Sequence, residues 1–106
     1  MEERNNYSVI ISDEALRMLE SHAAFLGHVS IDAAKKFTAD FAKAAASLSE
    51  FPELGSWLNQ PYIPYRKYRK LLFGRRYLII YMTKDSNVYI DYVVDTRQDY
   101  MWMIEE

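Results

Sequence analysis

Cationic side chains are concentrated in one part of this chain, between positions 65 and 76. No Asp or Glu occurs between Glu53 and Asp85. A cluster of like charge in an otherwise acidic protein attracts anions, such as phosphate groups or the acidic segment of a partner protein. The chemistry that such a group offers is the stabilisation of negative charge. The side chains of this cluster are Arg66, Lys67, Arg69, Lys70, Arg75 and Arg76.

Several other kinds of site find no support in the sequence. The chain has no cysteine, so disulfides, thiolate catalysis and cysteine-bound zinc are absent. His22 and His28 do not have the spacing of a metal pair and are predicted to be surface or helix-end residues. No serine lies in a nucleophile-elbow motif. We expect no metal, no cofactor and no small-molecule ligand.

The totals bound the class of protein. A length of 106 residues predicts a single domain over positions 1–106. The formal net charge of -2 argues against a protein that coats nucleic acid generally, but it leaves room for a local basic patch. The polar N-terminus and the lack of an apolar run of about 20 residues predict neither a signal peptide nor a membrane span. A cytoplasmic location is therefore expected.

The first half of the chain predicts a strand and a helical hairpin. A β-rich run at 7–11 indicates the first strand. Ser12 suits the N-cap of a helix that ends at Gly27, and Ser30 suits the N-cap of a second helix over about 31–50. Apolar residues recur at helical spacing in both. The two stripes are Leu16, Leu19, Ala23 and Leu26, then Ile31, Ala34, Phe37, Phe41, Ala45 and Leu48.

The second half predicts a three-stranded meander. Positions 51–64 contain three prolines and favour an irregular connection. Strands are predicted at 65–73, at 77–82 and from 88 onwards, with tight turns at Gly74-Arg75 and at 84–87. The middle strand is apolar throughout and should be covered on both faces. Strict alternation in the last strand predicts one face of Val88, Ile90, Tyr92 and Val94 and an opposite face of Tyr89, Asp91 and Val93.

These elements predict an α+β fold in the order β-α-α-β-β-β. The N-terminal strand should lie beside the meander, and the helical hairpin should pack on one face of a small, mainly antiparallel sheet. The tail, from 95 to 106, could form a short helix that presents Met101, Trp102 and Ile104.

Three motifs, in this order, resemble the RelE/ParE superfamily of toxins from type II toxin–antitoxin systems. The exit of the second helix, LSEFPELG at 48–55, is similar to the family's L…P…G connection. YRKLLF at 68–73 and YLIIY at 77–81 resemble its central strand pair, and VVDTRQD at 93–99 is similar to its closing strand. The resemblance covers nearly the whole chain and implies the RelE/ParE fold.

The resemblance implies one of two activities. RelE-like members cut mRNA in the ribosomal A site, whereas ParE-like members inhibit DNA gyrase. In both groups an antitoxin wraps the toxin with an extended C-terminal segment. The implied partners are therefore a cognate antitoxin and, as target, either the ribosome with its mRNA or DNA gyrase. A shared fold does not choose between these targets.

The nuclease interpretation places catalysis on Arg69, Arg97 and Tyr100. The two arginines match basic positions of RelE-like nucleases, where they would stabilise phosphate charge in a metal-independent reaction with the tyrosine as acid or base. Two further basic positions of those nucleases fall on Leu71 and Leu78. We therefore favour a ParE-like or divergent binding toxin, with a ribosome-dependent mRNA endonuclease as the alternative.

The cations also have a purely structural interpretation. Arg69 and Arg97 could extend into solvent or pair with a carboxylate such as Asp91 or Asp95. The remaining cations could form a solvated turn and strand edge, or could contact a target, a nucleic acid or an acidic antitoxin segment. These candidates for binding are Lys67, Lys70, Arg75 and Arg76.

Aromatic side chains and exposed edges leave two more alternatives open. Cross-strand packing explains tyrosines on strands, while tyrosines interleaved with cations could instead stack on RNA bases. The amphipathic hairpin and the edges of a small sheet need covering. A partner segment laid along the hairpin or added to a sheet edge would cover them, and so would the chain's own two tails.

Overall fold

The first strand of the chain pairs with the last one. The computed structural model describes residues 6–98 and contains one five-stranded sheet of order β1-β5-β4-β3-β2. The β1–β5 pair is parallel and the other three pairs are antiparallel, which confirms the predicted position of the first strand and the mainly antiparallel sheet. The strands are β1 (Ser8–Ile11), β2 (Ser56–Trp57), β3 (Arg69–Phe73), β4 (Tyr77–Lys84) and β5 (Asn87–Asp95).

Two serine caps define the helical hairpin. Helices α1 (Asp13–Val29) and α2 (Ile31–Glu50) are separated by Ser30 alone. The Ser12 and Ser30 side chains each accept a backbone N–H from the first turn of the helix that follows, as the sequence predicts. The prediction that α1 stops at Gly27 is wrong. The helix continues for two further residues and ends before Ser30, where the backbone becomes extended.

The apolar stripes of the helices are confirmed except at one position in each. Phe37, Phe41 and Leu48 of α2 are buried against the sheet. Leu16 of α1 is 46% exposed, however, and the buried residue of that turn is its neighbour Ala15. Ile31 is also exposed, because it is the first residue of α2 and lies at the tip of the hairpin.

The connection between α2 and the meander contains a strand that the sequence did not predict. The two residues of β2 pair with Lys70 and Arg69 at the edge of the sheet. Positions 65–68, predicted as the start of β3, lie before the strand, in a turn at 65–66 and two irregular residues. A proline-punctuated segment can still supply a short edge strand, since an edge strand uses only one side of its backbone.

A β-bulge changes the faces of β5. Ile80 pairs with Tyr92 and Tyr81 pairs with Ile90, so Asp91 is the additional residue between them. The prediction of strict alternation is therefore wrong beyond Ile90. Tyr92 and Val94 lie on the face opposite to Val88, Ile90 and Val93, because a bulge reverses the side on which later residues point.

The sheet is covered on both faces, so it has two apolar clusters. The cluster under the helices contains Phe37, Phe41, Tyr77, Ile79, Tyr81 and Val93 among its members. On the opposite face, the connection before β3 packs against β4 and β5, and this second cluster contains Leu58, Ile63, Tyr68, Leu78, Ile80 and Val94.

Two expectations concern the ends and the setting of the chain. The predicted tail helix, with Met101, Trp102 and Ile104, lies outside the described residues, as does Tyr100. Within residues 6–98, neither helix is long and apolar enough to cross a membrane.

Candidate functional site on the cationic meander

Arg69 is engaged by its own protein. Its guanidinium donates to the Gly55 carbonyl at 2.6 Å and lies 3.9 Å from the centroid of the Trp57 ring. A longer contact reaches the Glu53 carbonyl at 3.4 Å. Because a planar guanidinium donates and stacks at the same time, Arg69 holds the chain between α2 and β2 against the sheet.

The Tyr81 hydroxyl supports the same segment from below. It accepts the Gly55 N–H at 2.9 Å and donates to the Pro52 carbonyl, also at 2.9 Å. Burial raises the pKa of this hydroxyl, so it stays protonated and able to donate. The site also needs glycine, since a Cβ at position 55 would lie 2.6 Å from the Lys70 carbonyl oxygen.

Arg97 pairs with the buried carboxylate of Asp95. The guanidinium donates from Nη2 to Oδ2 at 2.8 Å and from Nε to Oδ1 at 3.1 Å. The Arg97 backbone N–H also donates to Oδ1, at 2.9 Å. Hydrogen bonding to Arg97 holds the pKa of Asp95 below its usual value. Arg97 therefore has Asp95 as its carboxylate partner, one of the two that the structural interpretation names.

The two candidate catalytic arginines lie at opposite ends of the meander. Arg69 pairs across the strands with Tyr81, whereas Asp95, two residues before Arg97, pairs with Tyr77. Four residues of β4 therefore separate the two positions, which is ~13 Å along the strand. The structure does not bring these arginines to one reacting phosphate.

The other candidate cations divide between the same two ends. Lys67 lies 5.2 Å from the Tyr68 ring, and Lys70 is on β3 beside Arg69. Arg75 occupies the tight turn between β3 and β4 with φ of 75°, and Arg76 follows it. The predicted turn at Gly74-Arg75 is confirmed, and it places its cations near Arg97 rather than near Arg69.

The end of the meander that carries Arg75 opens into a groove between α2 and β3. The groove has a volume of about 440 Å³. Leu54, Leu71 and Leu72 give it an apolar lining, and Leu54 and Leu72 are 52% and 56% exposed. Three cations line it too: Lys36 and Lys43 of α2, and Arg75 of the turn after β3. Asp40 also lines it and pairs with Lys36 at 2.8 Å.

Sequence reasoning found only half of this groove. It identified the cations of the meander but did not include Lys36 and Lys43 of α2, which lie outside the apolar stripe of that helix. Their spacing of seven residues places them on one side of the helix, and this signal was present in the sequence. Their distance from Arg75 was not, because it depends on how α2 crosses the sheet.

The prediction that His22 is a surface or helix-end residue is wrong. Its Nε2 lies 2.9 Å from the Val93 carbonyl oxygen, and its ring contacts those of Phe37 and Tyr77. The position follows from spacing, since residue 22 lies three after Leu19 and four before Leu26 on the packed side of α1. His28, in the last turn of α1, is exposed as predicted.

Asp91, the bulge residue, is a carboxylate with a raised pKa. Partial burial raises it, even though the Tyr68 hydroxyl donates to Oδ2 at 3.0 Å. Asp91 also carries the backbone carbonyl that accepts the Ser12 hydroxyl at 3.1 Å. Among residues 6–98, no three His, Cys, Asp or Glu side chains come together as a metal site would require.

Comparisons with known proteins identify related chains. A family model described as "ParE toxin of type II toxin-antitoxin system, parDE" matches residues 9–100. A structure titled "Chromosomal ParDE TA system from P. aeruginosa" has a TM-score of 0.69 at 17% identity, over 86% of this chain and 97% of that one. The conserved hypothetical protein HP0894 from Helicobacter pylori has a TM-score of 0.55 at 8% identity, over 87% and 97% of the two chains. No match was found among curated proteins.

Proposed function

Because this chain belongs to the ParE toxin family of type II toxin–antitoxin systems, we propose that it acts by binding a target, with DNA gyrase as the target, and that a cognate antitoxin neutralises it. The observation that carries the first part is the state of the two arginines. Arg69 and Arg97 lie at opposite ends of the meander, and each is already bound within the chain. A phosphate transition state needs cations that converge on one point.

The positions between the arginines support the same proposal. Leu71 and Leu78 stand where a RelE-like nuclease would have cations, and they pack in the two apolar clusters on opposite faces of the sheet. A cation at either position would remove apolar packing, and its charge would be cut off from water. A reduced set of cations acting as a ribosome-dependent nuclease remains the alternative function.

Induced expression of the chain with parallel labelling of new DNA and new protein tests the proposal. We expect DNA synthesis to fall first. An early fall in protein synthesis would support the nuclease instead, and in that case Arg97→Ala should restore growth while soluble protein still accumulates. Arg97 is the better of the two arginines for this control, because it is exposed and Arg69 holds a loop in place.

The groove between α2 and β3 supports the proposal of an antitoxin partner. Its exposed leucines and its cations fit an amphipathic segment that carries acidic residues. We infer that the antitoxin lies in this groove, and that Arg75 is one of its contacts. The structure titled as a ParDE system provides the precedent for such a partner, while the surface is argued from this chain alone.

Coexpression with the product of the adjacent reading frame tests the groove. Leu54→Asp and Leu72→Asp should each abolish protection by the antitoxin, because a carboxylate in the groove would repel an acidic segment. Neither should reduce toxicity, because both side chains are exposed. Phe25→Asp, at the equally exposed tip of α1, is the matched control and should leave protection intact. Protection that survives both leucine variants would place the antitoxin elsewhere.

A further inference from the structure

Tyr65 is exposed to an extent that the fold does not explain. Its side chain is 80% exposed, the largest value among the exposed large hydrophobic residues of the described chain. The Arg66 guanidinium lies 5.0 Å from the centroid of this ring and 5.9 Å from that of Trp57. The protein therefore holds a cation and an open aromatic face side by side at the β2 end of the sheet.

Tyr65 and Arg66 lie in a turn whose backbone is strained at Arg66. The Lys67 N–H donates to the Pro64 carbonyl at 3.1 Å, which closes a turn with Arg66 as its third residue. Arg66 has φ of 56°, where glycine or asparagine is the usual occupant. A larger residue in this conformation costs about 1 kcal/mol. An arginine that lies there despite the strain points to a use for its side chain.

An open cleft lies directly beside Tyr65. Its volume is about 670 Å³, and it is broadly open to solvent. Buried Leu58 and Ile63 supply apolar surface, and Pro61, Pro64 and Tyr65 complete it. Asn59 and Gln60 also line the cleft, and their amides offer the donor and acceptor pairs that recognise the edges of nucleobases.

Cations follow the cleft along the chain, although one of them, Lys67, also interacts with the carboxylate of Asp91. The acid-free stretch from Glu53 to Asp85 contains the whole cleft. Lys67 and Lys70 follow Arg66 along the chain, and Lys70 belongs to the strand that pairs with β2. A ring face for stacking, amides for base edges and nearby cations for phosphates are the three components of a single-strand nucleic-acid site.

We propose that this cleft and Arg66 bind single-stranded nucleic acid. One base stacks on Tyr65 at the mouth of the cleft, and Arg66 and Lys67 contact the adjacent phosphates. An acidic peptide fits less well, because its carboxylate side chains carry no aromatic ring to stack on Tyr65. The site uses neither Arg97 nor the groove between α2 and β3, so it stands whether the toxin's target is gyrase or the ribosome.

Fluorescence anisotropy with the full chain and labelled oligonucleotides of about 12 nucleotides tests the site. We expect oligo-dT or oligo-U to bind at low salt and more tightly than a duplex of the same length. Arg66→Gly is the informative variant, because it removes the cation while relieving the strained φ. It should be at least as stable as the parent and bind about tenfold more weakly. Its plot of log affinity against log salt should be shallower by about 0.7.

Tyrosine variants separate stacking from charge. Tyr65→Ala should weaken oligonucleotide binding about tenfold, while Tyr65→Phe should bind like the parent. Neither should change the binding of heparin, which has charge but no bases. Lys84→Ala, at the exposed end of β4, and Phe25→Ala, near the exposed end of α1, are the matched controls and should leave oligonucleotide binding within about twofold.

Several outcomes would overturn the proposal. These are the absence of binding at low salt, tighter binding of the duplex, an equal loss in Lys84→Ala and Arg66→Gly, or a Tyr65→Ala variant that loses heparin and oligonucleotide alike. If uridine monophosphate competes as well as the oligonucleotide does, per nucleotide, the cleft binds a free nucleotide and the proposal of a single-stranded ligand is wrong. Each result is independent of toxicity, so failure here leaves the toxin proposal untouched.

Discussion

Tyr81 and Gly55 are joined by a buried hydrogen bond from the glycine N–H to the tyrosine hydroxyl, 2.9 Å long. This contact links the central strand to the exit of α2 across 26 positions of sequence. The same hydroxyl donates to Pro52, and Arg69 donates to the carbonyl of Gly55. The segment before β2 is thus held by side chains of β3 and β4, whose own positions the sheet fixes.

Tyr81→Phe should destabilise the protein by about 1–3 kcal/mol, because it leaves the buried Gly55 N–H without its acceptor. Urea denaturation measures the change. Tyr65→Phe removes an identical hydroxyl at an exposed position and should change the free energy of unfolding by less than about 0.5 kcal/mol. Equal effects of the two substitutions would show that the Tyr81 hydroxyl does not hold the loop.

Gly55→Ala tests the same junction by steric means. The added Cβ would lie 2.6 Å from the Lys70 carbonyl and 2.8 Å from the Tyr81 hydroxyl, so the loop must shift. We expect a loss of about 2 kcal/mol or more. The control is Gly27→Ala in α1, where the nearest atom is Ala34 Cβ at 3.9 Å. That variant should be stabilised by about 0.5–1 kcal/mol, and both values come from the same denaturation curves.

The sequence indicated the strands of the meander but not the register faults that shape them. Ser12 and Ser30 revealed both helix starts, and the apolar run at 77–82 revealed the central strand. Asp91 gave no sign of being a bulge, because a bulge arises from how two strands meet and not from the alternation within one. The site was harder to predict for the same reason. Arg69 and Arg97 look like a pair in the family's motif order, whereas their separation follows from strand pairing.

Asp91→Asn should stabilise the protein at neutral pH. Burial raises the folded-state pKa of Asp91 above the ordinary aspartate value of 3.8, so the folded state binds more protons than the unfolded state between those two values. Stability therefore falls as pH rises through that window, and the cost is fully present above it. Asparagine keeps an acceptor for the Tyr68 hydroxyl and has no charge to bury. The gain should vanish in unfolding experiments below about pH 3.8, and a gain that is independent of pH would contradict this account.

Arg97→Ala should make the protein more sensitive to acid. The folded-state pKa of Asp95 lies below 3.8 because of its hydrogen bonds to Arg97. Its contribution to stability is therefore present above that value and is lost as pH falls through the folded pKa. Without Arg97 the folded pKa rises, and the midpoint of acid unfolding should move to higher pH. Arg17→Ala, which removes an exposed pair with Glu14, should leave that midpoint in place.

Two substitutions in the turn between β4 and β5 should stabilise the protein. Asp85 and Ser86 have φ of 53° and 66° between the paired residues Lys84 and Asn87, which is the geometry of a two-residue type I′ hairpin. Asn-Gly is the preferred pair there. Replacing both residues in this way should raise the free energy of unfolding by about 0.5–1 kcal/mol. Ser56→Gly, at the start of the two-residue strand β2, is the opposite control and should lower it.

The parallel pairing of β1 with β5 limits how far the protein can fold during its synthesis. Ser8 pairs with Asn87, 87 − 8 = 79 positions later, so the first strand to leave the ribosome waits for the last. Contacts so distant in sequence form late and slow folding. The helical hairpin can assemble while synthesis continues, but the finished sheet cannot. A product released before Asn87 therefore has no partner for β1, and the five-stranded sheet forms only after β5 has been made.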